Sequence, residues 1–336
     1  MAQITNGGRK NIVEWSQHFH RGKVLPEVQM LAQNNMSVMD VPFVQCNDGG
    51  THLWNLQTSL PTVTKTAYGE GTPVSHSQKS QLREEPSLLT GFASVEKELG
   101  RVGGQMGTLR AKEDSAFAEA MRQQFAQMQF YANRTTNQRD FYGFCTLYNS
   151  LTGTRSANVF SCGGGTANAQ TSIVGVNWGA DVYGVFPEGT TAGLEKEDLG
   201  TQVSTLPSGN KLITVDTFHK WYVSLIVEAW QSVVRICNIQ VADANALANN
   251  QAPTSFANIL HKMVLAKLRI RRPGRFVWYC NDVVYGLMMR LGLEKSANGF
   301  TVKEAVTQFG TFEELYYLGS PVRRVDQILS TESVVS

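Results

Sequence analysis

Residues 60–81 read LPTVTKTAYGEGTPVSHSQKSQ. Thr62 to Tyr68 is rich in Thr, Val and Tyr, the residue types that suit a pleated backbone. Gly69-Glu70-Gly71 supplies a tight turn, because glycine accepts positive φ without a steric penalty. Thr72 to Gln78 can return as a second strand. The hairpin so formed has almost no apolar face. An isolated two-stranded ribbon is marginal in water. Such a stretch is therefore either an unstructured loop or an element whose partner lies outside its own domain.

The rest of the chain can build a substantial core. Its 336 residues, 42% hydrophobic and 17% charged, belong to a globular protein of two or three domains' worth of core. No apolar run approaches the roughly 20 residues that span a bilayer. MAQITNGGRKNIVEWSQHFHRG lacks the apolar centre of a signal peptide, so folding is expected in a cytoplasm. Cys46, Cys145, Cys162, Cys237 and Cys280 are odd in number, widely spaced and without a CxxC pair. They read as buried small hydrophobes and not as disulfides or a zinc knuckle. The formal net charge of +2 argues against a dedicated nucleic-acid reader.

Hydrophobic spacing marks the main elements. Residues 1–45 read as an irregular arm with short helical pieces near Asn11–Phe19 and Pro26–Gln33. Residues 82–100 combine an acidic turn, an apolar run and a short helix. Glu113 to Asn133 is the clearest helix. Phe117, Met121, Phe125 and Met128 form its apolar stripe, with Glu113 and Asp114 in its first turn. It would be a rod of about 30 Å. Glu119, Arg122 and Gln123 would face outward, with Phe130 off the stripe. Ser161–Ser172 is a glycine-rich polar loop. Residues 171–189 and 211–239 are dominated by β-branched and aromatic residues and read as strands of one antiparallel sheet, with a turn at Pro207-Ser208-Gly209-Asn210. Thr254–Ile270 is a helix burying Phe256, Ile259, Leu260, Met263, Leu265 and Leu268. Phe276–Cys280 is a buried strand, and Asp282–Leu291 a helix capped by Asp282. Residues 315–329 read as strand, break and strand.

Motifs of catalysis are missing. The sequence has no GxxxxGK[ST], GxSxG or HExxH. Gly163-Gly164-Gly165 lacks the frame of a phosphate loop. His18 and His20 have no third ligand near them, and His52, His76, His219 and His261 stand alone. Glu84-Glu85 and Glu313-Glu314 are adjacent in sequence, which does not make them converge. Arg269, Arg271, Arg272 and Arg275 close a helix, where positive charge offsets the dipole. Contact with phosphates or an acidic partner is their functional reading. No catalytic, cofactor-binding or metal site is assigned, and no cofactor is expected. A long rod, a sheet, an α/β tail, an arm and an exposed hairpin favour assembly over catalysis.

This order of parts resembles the major capsid proteins of tailed bacteriophages with the Hong Kong 97-type fold, the group found in short-tailed phages. LPTVTKTAYGEGTPVSHSQKSQ is similar to that group's extended loop. MRQQFAQMQFYANRTTNQRDFYGFCTLYNSL (121–151) resembles the end of the spine helix and the passage after it. TSIVGVNWGADVYGVFPEGTTAGLEKEDLG (171–200) keeps the spacing of Trp178-Gly179, Phe186-Pro187-x-Gly189, Gly193-Leu194 and Asp198-x-Gly200. VVRICNIQ resembles the return strand, with Gln240 where the group has an acidic residue. YYLGSPVRRVDQIL resembles the final strand. The match runs from about residue 55 to the C-terminus.

The resemblance implies an α+β fold in five parts. These are an N-terminal arm (1–49), an extended β-hairpin loop (50–85), a peripheral domain with spine helix 113–133 and a long sheet (86–240), an axial α/β domain (241–318), and a C-terminal strand returning to the main body (319–336). It implies a shell subunit, not an enzyme, that forms pentamers and hexamers of an icosahedral head around double-stranded DNA. The virion is its location and the bacterial cytoplasm its place of assembly. Expected partners are other copies of the chain, a scaffolding protein, a portal, a possible decoration protein and packaged DNA contacted non-specifically, with no membrane. Thr64, Tyr68, Gly69, Glu70, Gly71, Lys79, Arg83 and Glu84 are the expected intersubunit contacts. Some relatives weld this loop to a neighbour by a Lys–Asn isopeptide bond; Lys65 and Lys79 qualify by type alone. An encapsulin-type compartment, another virion component and a motif-free enzyme are the alternatives.

Overall fold

The structure is a computed structural model describing residues 19–20, 23–24, 35–101, 106–206, 208–242, 256–272, 274–293, 300–307 and 310–336. The short strands β1 (Phe19–His20) and β2 (Lys23–Val24) pair with each other. The two helical pieces expected in the arm otherwise lie outside the described residues. Then come α1 (Ser37–Asp40), β3 (Phe43–Gln45), β4 (His52–Ser59), β5 (Gln78–Glu84), β6 (Ser87–Glu96), α2 (Lys97–Arg101) and α3 (Met106–Tyr131). A short α4 (Phe144–Leu147) precedes β7 (Val159–Ser161), β8 (Gln170–Trp178), β9 (Val182–Phe186), β10 (Leu194–Thr205), β11 (Lys211–Val223), β12 (Ile226–Val227) and β13 (Val233–Gln240). The last part contains α5 (Phe256–Arg269), β14 (Arg275–Cys280), α6 (Asp282–Leu293), β15 (Phe300–Thr307), β16 (Gly310–Tyr317) and β17 (Ser320–Arg324).

A seven-stranded mixed sheet, in the order β15-β16-β17-β14-β8-β13-β7, forms the centre. Every residue of β8 is buried, which is why QTSIVGVNW reads as a continuous run without alternation. On one face Ile173, Ile236, Trp278 and Val322 pack against Ile259 and Met263 of α5 and Val284 and Met288 of α6. On the other, Val174, Val176, Val233 and Tyr279 meet Phe125, Met128 and Phe130 of α3 and Phe144 of α4. The sheet thus draws strands from 86–240, from 241–318 and from the C-terminal stretch.

The expected single antiparallel sheet is three sheets. β8 and β13 belong to the central one, β9 to a three-stranded sheet of order β12-β9-β3, and β11 to a sheet of order β10-β11-β6. Apolar runs show that strands are buried but not which strand each one meets. β10 was hidden by its charge: LEKEDLG alternates poorly, and a bulge between Asp198 and Gly200 breaks its register. The turn before β11 is present, with Gly209 donating to the Leu206 carbonyl at 2.9 Å and φ of +84°.

The long helix begins at Met106, not at Glu113, and is about 39 Å long. Asp114 therefore does not serve its first turn. It reaches the β10–β11 sheet, accepting from Lys196 and lying 3.0 Å from buried His219. Phe130 is fully buried although off the stripe, because the end of α3 is wrapped on several sides: its ring meets Tyr131, Phe144 and Tyr279. Glu119, Arg122 and Gln123 form a linked surface cluster. On α5, Ile259 and Met263 are buried as expected but Leu268 is 74% exposed. It lies on the turn facing away from the sheet. The cap of α6 is Asn281, whose Oδ1 accepts from the Val284 amide at 3.0 Å, while Asp282 is exposed and pairs with Arg324. The expected second strand after the Gly-Ser-Pro break ends at Arg324, and 325–336 run back across the central sheet without a regular ladder.

That returning tail is clamped by a buried charge. Arg235 of β13 donates to Glu332 at 3.0 Å, to Ser172 at 3.0 Å, and to the carbonyls of Cys145 and Tyr148 at 2.8 and 3.0 Å. Glu332 also accepts from Tyr131 at 2.5 Å and from Ser172. All five cysteines are buried and unbridged, as expected. Burial pushes the Cys145 and Cys162 thiols up to about 12 and Cys237 to about 11.

Two outcomes follow from this packing. Glu332→Ala removes one partner of a buried ion pair and should cost about 3–5 kcal/mol, read as a lower urea midpoint. At pH 8 an aromatic disulfide reagent should find no reactive thiol in the folded chain and five after unfolding, since inaccessible thiols with raised pKa values supply no thiolate.

Candidate functional site: the projecting loop and its root

The hairpin has a different form from the one its sequence suggests. The ladder lies at its base, where β4 and β5 pair antiparallel from His52↔Glu84 to Ser59↔Gln78. Residues 60–77 carry no ladder, so the strands expected at 62–68 and 72–78 are extended but unpaired, with β5 starting only at Gln78. Thr, Ser and Lys on both sides give neither arm an apolar surface to zip against the other. The turn is centred on Tyr68-Gly69. Glu70 donates its amide to the Ala67 carbonyl at 3.1 Å, and its carboxylate accepts the Ala67 amide at 2.9 Å. Gly69 at φ of +89° meets the third-position requirement of a type II turn. Ser75 donates across the loop to the Thr62 carbonyl at 2.8 Å.

Exposure separates tip from root. Thr64, Tyr68, Gly69, Glu70 and Gly71 are exposed at the tip, together with Leu60, Val63 and Val74. Lys65 and Lys79 are exposed too. Arg83 is half-exposed and pairs with Asp48 at 3.0 Å. Glu84 turns inward: it is buried and accepts from Arg134 at 3.2 Å, with Arg134 3.6 Å from Glu85. Burial raises the Glu84 carboxyl above its ordinary range, against the opposing pull of Arg134.

The sequence did not point to the groups that fix the root. Asn47 donates to the Leu53 carbonyl at 2.7 Å and accepts its amide at 2.8 Å. His52, the first residue of β4, lies 2.9 Å from the Tyr183 hydroxyl, which donates to Glu228 at 2.5 Å. The one hydroxyl proton goes to the carboxylate, so His52 donates from Nε2. Burial lowers the His52 pKa, and Glu228 opposes that shift. His52, Tyr183 and Glu228 are 131 and 45 residues apart in sequence, and an isolated histidine gives no signal of such a partnership.

A second exposed feature lies on the β10-β11-β6 sheet. α3 covers one face. The other presents Leu88 and Phe92 from β6, and the Phe92 ring lies 4.6 Å from Phe218 of β11. The arginine cluster after α5 is partly spent inside the chain: Arg272 pairs with buried Asp181, and Arg275 with buried Asp40 at 2.8 Å. Among the described residues no group of three His, Cys, Asp or Glu side chains could hold a metal, and no helix is long and apolar enough to cross a membrane. His219 is buried, His76 and His261 are exposed, and the His18 pairing with His20 lies outside the described residues.

Comparison with known proteins gives structural matches, among them a full-length one. A structure of bacteriophage Epsilon15 aligns with a TM-score of 0.75 and 23% identity, covering 100% of this chain and 99% of that one. The capsid of bacteriophage JBD30 aligns at 0.47 and 11% identity over 89% of this chain and 93% of that one. The holo-SrpI encapsulin complex of Synechococcus elongatus aligns at 0.46 and 10% identity over 69% of this chain and 96% of that one. No curated protein sequence matches. The Epsilon15 likeness and the spine helix, projecting loop and central sheet agree on the Hong Kong 97-type fold expected from the sequence. The family model for Major capsid protein GP7 matches residues 20–336, so the chain belongs to that family and is a structural subunit of an icosahedral bacteriophage capsid.

Proposed function

We propose that the projecting loop is the device by which neighbouring subunits lock together within pentamers and hexamers, and that the closed shell encloses double-stranded DNA. The observation that carries this is the contrast at the loop: a root fixed by His52, Asn47, Arg83 and Glu84, and a tip whose residues 60–77 touch almost nothing of their own subunit. Fully exposed Tyr68, Val63 and Val74 are apolar contacts on offer to another surface. The exposed Leu88–Phe92–Phe218 face on a neighbouring subunit is a suitable receiver. Thr64, Tyr68, Gly69, Glu70, Gly71 and Lys79 make the contact; Arg83 and Glu84 hold the angle at which the loop leaves the body.

The division into arm (1–49), loop (50–85), peripheral part (86–240), axial part (241–318) and returning strand (319–336) describes roles around one shared sheet. The axial part points to the capsomer centre and the peripheral part to its rim. Assembly takes place in the bacterial cytoplasm with a scaffolding protein and a portal, and the inner surface meets packaged DNA non-specifically. A decoration protein is a further partner. No catalytic step is assigned to the chain.

Gly69→Pro, which cannot adopt a φ of +89°, and Arg83→Glu, which breaks the ion pair with Asp48, should leave far-ultraviolet circular dichroism and the thermal midpoint nearly unchanged. Both should reduce closed particles at least tenfold in sedimentation and electron microscopy of the chain co-expressed with its scaffolding protein. Normal shells from both variants would remove the loop from the interface.

A further inference from the structure

A groove of about 630 Å³ opens beside the loop root. Trp54 of β4 and Leu82 of β5 form one wall, and Ile226 and Val227 of β12 another. Three properties suit it to an extended, acidic strand. First, β12 is the outer strand of its sheet, so its far edge has no ladder partner among the described residues. Second, the Trp54 indole N–H is buried and finds no acceptor among the described residues. Third, Arg83, Arg134 and Arg155 line the groove; Arg83 is held by Asp48 and Arg134 by Glu84 and Glu85, which leaves the charge of Arg155 to a ligand. Exposed Arg155 has no ion-pair partner among the described residues.

The same chain carries the complement. β10 is the outer strand of the β10-β11-β6 sheet and presents Glu195, Glu197 and Asp198 along an open edge. Glu195 and Asp198 are partly engaged by Lys220 and Arg110, while Glu197 is exposed and feels Lys220 only at longer range. We infer that the groove at the loop root receives the acidic β10 edge of a second copy of this chain. One surface on each copy meets a different surface on the next, which is the head-to-tail contact from which rings are made. Strand edge meets strand edge, a carboxylate reaches Arg155, and a backbone carbonyl or side-chain oxygen takes up the Trp54 N–H. The inference rests on the loop reading above, since both need neighbours in one ring, but it assigns a separate pair of surfaces.

The test places the photo-cross-linking residue p-benzoylphenylalanine at Tyr142, an aromatic position lining the groove, and separately at Tyr68 on the loop tip. Assembled particles of the full chain are irradiated, with unassembled subunits as the comparison. The expected result is a covalent dimer from position 142 in particles only, with the link mapping by mass spectrometry to residues 194–205 of the second copy. Arg155→Glu should lower its yield about tenfold, and Glu197→Arg should do the same. The two changes together should restore at least half. A dimer from position 68 with none from position 142 would overturn the groove assignment and leave the loop reading standing. A link from 142 to any other segment, or to another virion protein, would also overturn it.

Discussion

Arg235 brings a full positive charge into the middle of the molecule, and the architecture closes around it. Moving a guanidinium out of water costs several kcal/mol unless its donors are met. Here they meet Ser172 on the neighbouring strand β8, two carbonyls at the ends of the α4 turn, and Glu332 on the returning tail. Glu332 in turn takes a proton bond from Tyr131, the last residue of the spine helix. One ion pair thereby fixes the relative positions of the sheet centre, the end of the long helix and the C-terminal stretch. A purely apolar core could have supplied the energy. The directional bonds supply one arrangement of parts that share few sequence-local contacts.

The consequence is a division of stiffness. The central sheet is covered on both faces, and the end of α3 is packed among Phe144, Tyr279 and Trp221. Toward its start the same helix meets the β10-β11-β6 sheet with fewer buried apolar groups, Leu109 and the Phe117 ring stacked on His219, and with polar links beside them, of which Arg110 to Asp198 and Lys196 to Asp114 reach the surface. Apolar packing is non-directional and rigid once filled, whereas exposed ion pairs exchange with water at small cost. Adjustment between subunits is therefore cheapest at the far end of the spine helix and at the loop, and most costly at the sheet.

What was legible in the sequence follows the same physics. The spine helix, β8, β13, β14, α5 and α6 announce themselves because burial imposes a period or an unbroken apolar run, and the order of those parts with the Trp178-Gly179 and Phe186-Pro187 spacing carried the family resemblance. Phe130 and Leu268 show the limit of periodicity. The first is off the stripe and buried because the helix end is enclosed; the second is on an apolar pattern and exposed because α5 offers only one side to the sheet. β10 escaped notice because an open edge strand carries charge to deter unwanted pairing. The root triad of His52, Tyr183 and Glu228 had no local signature, since its members come together only when β4, β9 and the residue that follows β12 are assembled.

A subunit that must later bind its neighbours has to survive alone first. A contiguous apolar patch at the loop would bring newly made chains together before the ring geometry could select among contacts. Leu60, Val63, Tyr68 and Val74 are spaced among Thr, Ser, Lys and Glu, so that on the proposed reading of the loop no single contact is strong. Specificity then comes from number and geometry. On that reading each weak contact becomes effectively intramolecular once a ring has begun to form, and the gain from closing the ring exceeds that of any pair. A rigid root is what makes that gain available, because a loop free to swing would spend the benefit on its own ordering entropy. The buried His52, Tyr183 and Glu84 at the root, and the bare polar strand beyond it, are thus two halves of one solution.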